Sequence, residues 1–176
     1  MEKCIYNSII TDVRKLVRRF GTRDPLIIAE ELGINLEFRQ LGNIKGMYAN
    51  VLNNPFIFLN ERLDDVGAKI VCAHELGHHR LQGKSVRMAQ TFSDMDFVGL
   101  NNDRFEYEAN LFCAELTIPD DEIEDCIYRG YTSYECARAL YTDPALVALK
   151  LELMRHKGNT ELNRVDYNRN FLKILH

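Results

Sequence analysis

The chain has 176 residues, of which 46% are hydrophobic and 27% are charged, a composition typical of a globular protein with one main core. Its net charge of -4 argues against nucleic-acid binding through a broad basic surface, because phosphate neutralisation dominates such binding. Five cysteines without a Cys-x-x-Cys pair fit neither a disulfide framework nor a cysteine-rich zinc module. No segment has the length of a signal peptide or membrane span, so we expect a cytoplasmic protein with no membrane partner.

The first third of the chain predicts two helices and three short strands. Apolar residues recur at helical spacing over residues 3–20, and Asp24-Pro25 opens a second helix that Gly33 is placed to end. Strands are predicted at residues 34–38, 47–51 and 56–59, with a turn at Asn53-Asn54-Pro55. We expect a small antiparallel sheet whose third strand borders a cleft and pairs with an extended substrate.

The rest of the chain is predicted to be mainly helical. One helix runs from residue 64 to Gly83, a surface loop covers residues 84–102, and the next helix begins at Asp103 and stops at Pro119. Three further helices are predicted at residues 120–129, 133–141 and 143–158. We therefore expect a core at residues 1–119 and a helical C-terminal subdomain at residues 120–176.

The run His74-Glu75-Leu76-Gly77-His78 lies within the predicted helix over residues 64–83. Histidines four residues apart share one helix face, so both imidazoles can bind one Zn²⁺, which leaves room for a third protein ligand and a water. Glu75 projects about 100° from His74 and can act as general base on a water whose pKa the zinc lowers. A chance pairing of histidines is the alternative. The helical context and Gly77, which leaves room beside the ligands, argue for a zinc peptidase.

The third zinc ligand is expected from the helix that begins at Asp103. Its candidates are Glu106 and Glu108, and both lie at the edges of the apolar stripe of that helix. Asn110 follows Glu106 by one turn and can hydrogen-bond a zinc histidine or the ligand carboxylate, whereas Phe112 follows Glu108 and cannot. This favours Glu106 as ligand and Asn110 as its support, with Glu108 held in reserve.

With these residues in place, the sequence resembles the ImmA/IrrE-type metallopeptidases of bacteria, phages and mobile elements. The resemblance is carried by several motifs in order, which are Asp24-Pro25, Ala29 to Ile34, Gly46-Met47-Tyr48, Ile57 to Asn60, Ala73 to His78, and Glu106 to Leu116 closing at Pro119. The chain departs from the family pattern at Glu115-Leu116-Thr117-Ile118, where Leu-Leu-Met is common. This departure concerns the local packing and leaves the metal site unchanged.

The resemblance implies an α+β fold, with a zincin-like core whose small antiparallel sheet packs on the motif helix and a helical C-terminal part. It implies an intracellular zinc endopeptidase that cleaves a specific regulatory protein, with a helix-turn-helix repressor of a phage or mobile element as substrate. It also supports Glu106 as third ligand, because related enzymes place an Asp or Asn four residues after their zinc glutamate. The alternative function is a non-proteolytic anti-repressor that acts by binding protein or DNA.

Family members often carry a helix-turn-helix-like segment after the proline, and residues 134–154 look similar. Residues 132–176 hold seven Lys and Arg against five Asp and Glu, and this surplus of two is too small to indicate DNA contact. We therefore expect these helices to support the core or to dock the substrate protein, and not to bind nucleic acid directly.

Overall fold

The computed structural model describes residues 2–90 and 103–158. Its elements are α1 (Glu2–Phe20), α2 (Pro25–Glu31), β1 (Asn35–Arg39), β2 (Gly46–Val51), β3 (Asn54–Asn60), α3 (Asp65–Gln90), α4 (Asp103–Thr117), α5 (Asp120–Tyr128), α6 (Ser133–Ala139) and α7 (Pro144–His156). The predicted α+β fold with a helical C-terminal part is confirmed. Among the helices described, none is long and apolar enough to cross a membrane.

Three of the helix starts are fixed by local side-chain caps. Asp24 and Asp143 each accept a hydrogen bond from the backbone N–H two residues further on, and each is followed by a proline at the first helical position. Thr132 and Glu135 form a reciprocal capping box at the start of α6. Such caps satisfy backbone donors that a helix cannot satisfy itself, which is why these starts were predictable from sequence.

The sheet has the strand order β1-β3-β2 and is mixed. β2 and β3 are antiparallel, and Leu52 and Asn53, both with positive φ, form the tight turn between them. β1 pairs with β3 in parallel, with Leu36 opposite Ile57. The expected antiparallel pairing is therefore correct for β2 and β3 and wrong for β1. The turn also lies one residue before the predicted one.

The third strand, β3, lies in the centre of the sheet and has a neighbour on each side. It cannot accept an added substrate strand, so that expectation is wrong. Among the described strands, β1 and β2 lie at the two edges of the sheet, so β2 has an outer edge with no strand beside it. The Asn60 N–H donates to the Lys45 carbonyl at 2.9 Å. Because hydrogen-bonded pairs alternate in an antiparallel ladder, the backbone groups of Gly46 and Tyr48 point to that outer edge.

Helix α3 forms the centre of the molecule, because it contacts the sheet and also packs along α4. It continues past the predicted end at Gly83 to Gln90. The rest of the predicted loop, residues 91–102, lies outside the described residues, as do residues 159–176. The largest wholly buried side chains include Ile57 and Leu59 from β3, Leu76 from α3 and Phe112 from α4. These side chains seat the motif helix against the core.

A cluster of four charged side chains, of which Asp120 is partly exposed, joins α4, α5 and α7. Lys150, which is wholly buried, lies 2.7 Å from Glu115 and 2.6 Å from Asp120, and Lys157 also contacts both carboxylates. Burial opposes ionisation of Asp120, but the hydrogen bonds from the two lysines hold its pKa at about 2. This cluster gives the reason for the departure from the family pattern at Glu115, because a carboxylate there has two cationic partners.

Helix α7 is buried along most of its length, including every residue from 145 to 151. It contacts α1, α4 and α6. A recognition helix must present an exposed face to enter the major groove of DNA, and α7 does not present one. The boundary at residues 119 and 120 between two subdomains stays a prediction.

We expect Lys150→Met to lower the free energy of unfolding by about 3 kcal/mol, because the buried Glu115 loses one of its two cationic partners. The double variant Lys150→Met with Glu115→Leu should regain most of that loss, since Lys157 and Asp120 still form a pair. Urea-induced unfolding measures both. Arg129→Ala serves as the control, because its ion pair with Asp125 is exposed and should leave stability unchanged. A single variant as stable as the wild type would show that the cluster does not hold α7.

Candidate metal centre

His74 and His78 project from the same face of α3, one turn apart. Their Nε2 atoms lie 3.0 Å from each other, and their rings are nearly perpendicular, with an interplanar angle of 82°. Both side chains are half-buried, at 22% and 15% exposure. The helical spacing thus brings two imidazole nitrogens to one point, where they can share a ligand.

Helix α4 brings Glu106 to the same point. Its two carboxylate oxygens lie 3.3 Å from the Nε2 atoms of His74 and His78 respectively. The helices approach closely because Gly77 on α3 faces Ala109 on α4. A Cβ atom at Gly77 would lie 3.0 Å from the Cα and 3.1 Å from the carbonyl oxygen of Ala109. Any larger residue at position 77 would therefore push Glu106 away from the histidines.

The second ring nitrogen of each histidine is held by an amide oxygen. Asn110 Oδ1 accepts a hydrogen bond from His74 Nδ1 at 2.9 Å, and Gln82 Oε1 accepts one from His78 Nδ1 at 2.6 Å. The Gln82 amide nitrogen in turn donates to the backbone carbonyl of Phe105 at 2.9 Å, which ties α3 to α4. With each Nδ1 donating in this way, a neutral histidine presents an Nε2 lone pair that can bind a metal, whereas a protonated histidine presents an Nε2–H that can donate to Glu106.

The sequence-based prediction missed Gln82. The sequence nevertheless indicates its position, because Gln82 follows His78 by four residues and so lies on the same helix face as His74 and His78. Gln82 is 3% exposed, so its amide groups need partners inside the protein. A buried glutamine one turn beyond the second histidine would have been a usable indication.

The donor set fits a divalent metal ion. Zinc bonds of about 2.0–2.1 Å at tetrahedral angles place neighbouring ligand atoms roughly 3.3 Å apart, as Glu106 is from each histidine. Two imidazole lone pairs 3.0 Å apart repel each other unless a cation lies between them. In the part of the chain that the structure describes, His74, His78 and Glu106 are the one group of three such side chains close enough to hold a metal.

Close contacts within this group shift the pKa values of Glu106 and His78. The hydrogen bonds from His74 and His78 lower the pKa of Glu106 well below its ordinary value. Burial lowers the pKa of His78, but its hydrogen bonds with Glu106 and Gln82 outweigh that effect and leave the pKa raised. Glu106 is therefore a carboxylate at neutral pH, which is the form that binds metal ions.

Glu75 lies beside the three donors and is 8% exposed. Burial raises the pKa of its carboxyl, although His74, His78 and a hydrogen bond from the Tyr48 backbone act in the opposite direction. Gly46 on β2 makes room for it, because a Cβ there would lie 2.2 Å from Val71 and 3.4 Å from the Glu75 carboxylate. The outer edge of β2 thus runs next to this carboxylate.

Two residues weighed at the sequence level lie elsewhere. Glu108, the reserve for the third ligand, is buried and pairs with Arg104 at 2.7 Å on its own helix. His79 is half-buried, and its Nδ1 lies 3.0 Å from the hydroxyl of Tyr48, which it also contacts edge to face. Neither side chain belongs to the group of three donors.

A cavity of about 360 Å³ opens beside His74 and Glu75. Its remaining lining residues come from the segment before β2, from α3, from α4 and from the region around the start of α7; they are Lys45, Gly46, Ile70, Val71, Asn110, Cys113, Asp143, Ala145, Leu146 and Leu149. The cavity volume falls within the usual range for pockets that bind small ligands.

Comparison with known protein families gives a match over most of the chain. The model of the Peptidase_M78 family, described as the IrrE N-terminal-like domain, matches residues 29–152. The chain belongs to this peptidase family. The matched range contains the two histidines, Glu75 and Glu106, and it runs through most of α7. The family resemblance inferred from the sequence is thereby confirmed.

Two relatives agree with this assignment. "Uncharacterized immunity region protein 2" of Bacillus phage phi105 is 31% identical over 116 residues, which cover 65% of this chain and 71% of that protein. "Metallopeptidase ImmA" of Bacillus subtilis strain 168 is 26% identical over 149 residues, which cover 81% of this chain and 84% of that protein. The chain is thus similar to a phage immunity-region protein and to a metallopeptidase.

We expect the purified chain to bind about one zinc ion, because three protein donors and a water complete a tetrahedral site. His78→Ala and Glu106→Ala should each lose most of the metal, whereas Glu108→Ala should keep it, since Glu108 pairs with Arg104. Metal analysis after dialysis measures the ratio of metal to protein. Retention of zinc by Glu106→Ala together with its loss from Glu108→Ala would reverse the assignment of the third ligand.

Gln82→Met should weaken zinc affinity by about 10- to 100-fold, because His78 loses the acceptor that orients its ring. Competition with a chromophoric chelator measures the affinity. Gln40→Met makes the same change at an exposed residue and should leave the affinity unaltered. Equal affinity in both variants would remove Gln82 from the metal centre.

Proposed function

We propose that this chain is a zinc-dependent endopeptidase that cleaves a specific regulatory protein in the cytoplasm. The observation that carries the proposal is the meeting of His74, His78 and Glu106 at one point, with the buried Glu75 carboxylate beside them. Two imidazoles and one carboxylate are a usual ligand set for catalytic zinc, which leaves a position open for water. Membership in a peptidase family supports the same reaction.

In this proposal His74, His78 and Glu106 hold the zinc, and Asn110 and Gln82 fix the ring orientation of the histidines. A bound zinc supplies a water of lowered pKa and polarises the peptide carbonyl. The choice of zinc over other divalent ions rests on the two imidazole nitrogens, which zinc accepts readily, and on the spacing of the donor atoms.

Glu75 moves the protons of the reaction. Its carboxylate takes a proton from the attacking water and later gives that proton to the nitrogen of the departing amine. Burial raises the pKa of Glu75 above its ordinary value, which makes the carboxylate a stronger base for taking a proton from water. The hydrogen bond from the Tyr48 backbone fixes the carboxylate at the edge of β2.

The substrate backbone binds along β2. β2 is an edge strand whose outer side has no neighbouring strand among the described residues, and this edge runs next to Glu75. An extended substrate segment can pair with such an edge, and the pairing sets the scissile bond against the catalytic carboxylate. The proposed substrate strand therefore lies on β2, in contrast to the β3 expected from sequence.

A helix-turn-helix repressor of a phage or mobile element is the proposed substrate. The relative in phage phi105 is named for an immunity region, which supports a role in phage immunity. The similarity to a protein named as metallopeptidase ImmA supports proteolysis as the means. Direct binding of DNA by α7 plays no part in this proposal, because that helix is buried.

Glu75→Gln should keep the zinc but slow cleavage of the proposed substrate, a helix-turn-helix repressor of the phage or mobile element, by about 10²- to 10⁴-fold, since the variant lacks the general base. Gel electrophoresis of the repressor over time, with metal analysis of the same sample, measures both effects. Glu61→Gln is the matched control, because Glu61 is exposed and is not among the residues of the metal centre.

Other outcomes of this experiment are equally informative. Equal cleavage by wild type and Glu75→Gln would show that Glu75 is not the base. A repressor that stays full-length while both proteins relieve repression in cells would contradict proteolysis and would instead support an anti-repressor that acts by binding.

A further inference from the structure

The cavity beside His74 and Glu75 has an apolar interior and a charged rim. Cys113, Leu146 and Leu149 are buried and form its inner surface. Lys45 and Asp143, which are both exposed, carry opposite charges at its mouth. An interior of this kind favours an apolar group, because a charged group placed there would lose its hydration without gaining a partner.

Three helices build this cavity, and one of them lies beyond the core predicted from sequence. Ile70 and Val71 belong to α3 and precede His74 by one turn. Cys113 belongs to α4 and follows Asn110 by about one turn. The other apolar lining residues, Ala145, Leu146 and Leu149, lie in the first half of α7 and form one wall of the cavity. The wall and the proposed catalytic residues therefore come from separate parts of the sequence.

We propose that this cavity binds an apolar side chain of the protein substrate next to the bond that is cut, and that Ala145, Leu146 and Leu149 set the size it accepts. The proposal rests on the proposed peptidase function, because the same His74 and Glu75 line the cavity. It narrows the substrate class to polypeptides with a branched aliphatic residue beside the scissile bond.

The position of the cavity supports this role. Val71 contacts the cavity and also limits the space at Gly46, the first residue of β2. A substrate strand on the outer edge of β2 thus passes the mouth of the cavity, and alternate side chains of a strand point to one face. One side chain of that strand can enter the cavity while its backbone stays paired with β2.

The wall on α7 is held rigidly. Lys150 follows Leu149 directly and is anchored to Glu115 on α4 and Asp120 on α5. A shift of α7 along its axis would pull the buried ammonium group away from both carboxylates, at a large electrostatic cost. A wall fixed in this way can discriminate side chains by size, because it cannot move to fit each one.

The chemistry of the lining argues against a phosphorylated or nucleotide ligand. Among the described residues that line the cavity, Lys45 is the one with a cationic side chain, and Asp143 carries the opposite charge. Phosphate groups need several donors or a helix N-terminus whose charge is not already countered, and Asp143 caps the N-terminus of α7 here. An uncharged apolar group remains as the class that fits.

The test compares binding of three hydroxamates by the zinc-loaded chain, namely those of glycine, leucine and phenylalanine. They share the chelating group and differ in the side chain, so calorimetry reports the side-chain preference without any cleavage. We expect wild type to bind leucine hydroxamate at least about 10-fold more tightly than glycine hydroxamate, because a methylene group in an apolar pocket changes recognition by about that factor.

Two leucines of α7 provide a matched pair of variants. Leu146→Ala should enlarge the cavity and shift the preference from the leucine to the phenylalanine hydroxamate by about 10-fold. Leu151→Ala makes the same change at a buried residue of α7 that does not line the cavity, so it should keep the wild-type preference. Thermal unfolding of both variants checks that they lose similar stability.

The possible results distinguish a failure of the proposed side-chain pocket from a failure of the proposed peptidase function. Cleavage of the repressor with equal binding of the three hydroxamates, or the same shift in both leucine variants, would overturn the side-chain pocket and leave the peptidase intact. A preference for leucine hydroxamate that Leu146→Ala alone changes, in a chain that cleaves no repressor, would keep the pocket and overturn the peptidase. Absence of any hydroxamate binding to the zinc-loaded chain would overturn the pocket.

Discussion

The close contact of α3 with α4 at Gly77 and Ala109 is the constraint on which the metal centre depends. With no side chain at position 77, the backbone of α4 comes near enough for Glu106 to reach both histidines. Glycine in a helix interior costs about 1 kcal/mol relative to alanine, so its presence needs a compensating benefit. The benefit here is a third donor from α4 within 3.3 Å of two imidazoles on α3.

Helix α4 is fixed at both ends by polar contacts, and this explains how its carboxylate keeps its position. Gln82 binds the carbonyl of Phe105 near the start of α4, and Arg23 donates to the carbonyls of Glu115 and Leu116 near its end. Side-chain donors at a helix C-terminus satisfy carbonyls that have no partner within the helix. A helix tied in this way presents Glu106 in one geometry, and metal affinity depends on that geometry.

The parts of this fold that depend on local chemistry could be predicted from the sequence. The parts that depend on contacts between residues far apart in the chain could not. Asp24-Pro25 and Asp143-Pro144 mark helix starts because the cap acts within a few residues. The parallel pairing of β1 with β3 was not predictable in that way, since the partner of a strand is chosen by the whole fold. For the same reason the substrate strand was expected on β3 from sequence, whereas the edge strands of the sheet are β1 and β2. Helical spacing brought His74 and His78 together as candidate ligands, whereas Gln82, which has the same spacing from His78, was identified from its contacts with His78 and α4.

The position of α7 indicates how much of the chain the proposed substrate site requires. A core that ended at residue 119 would keep the three donors and Glu75 but would lack the wall formed by Leu146 and Leu149. The family match extends to residue 152 and so includes that wall. The buried Lys150 ties α7 to α4, the same helix that carries Glu106. We infer that the helices after Pro119 complete the substrate site, because one helix pair then fixes both the metal donors and the pocket beside them.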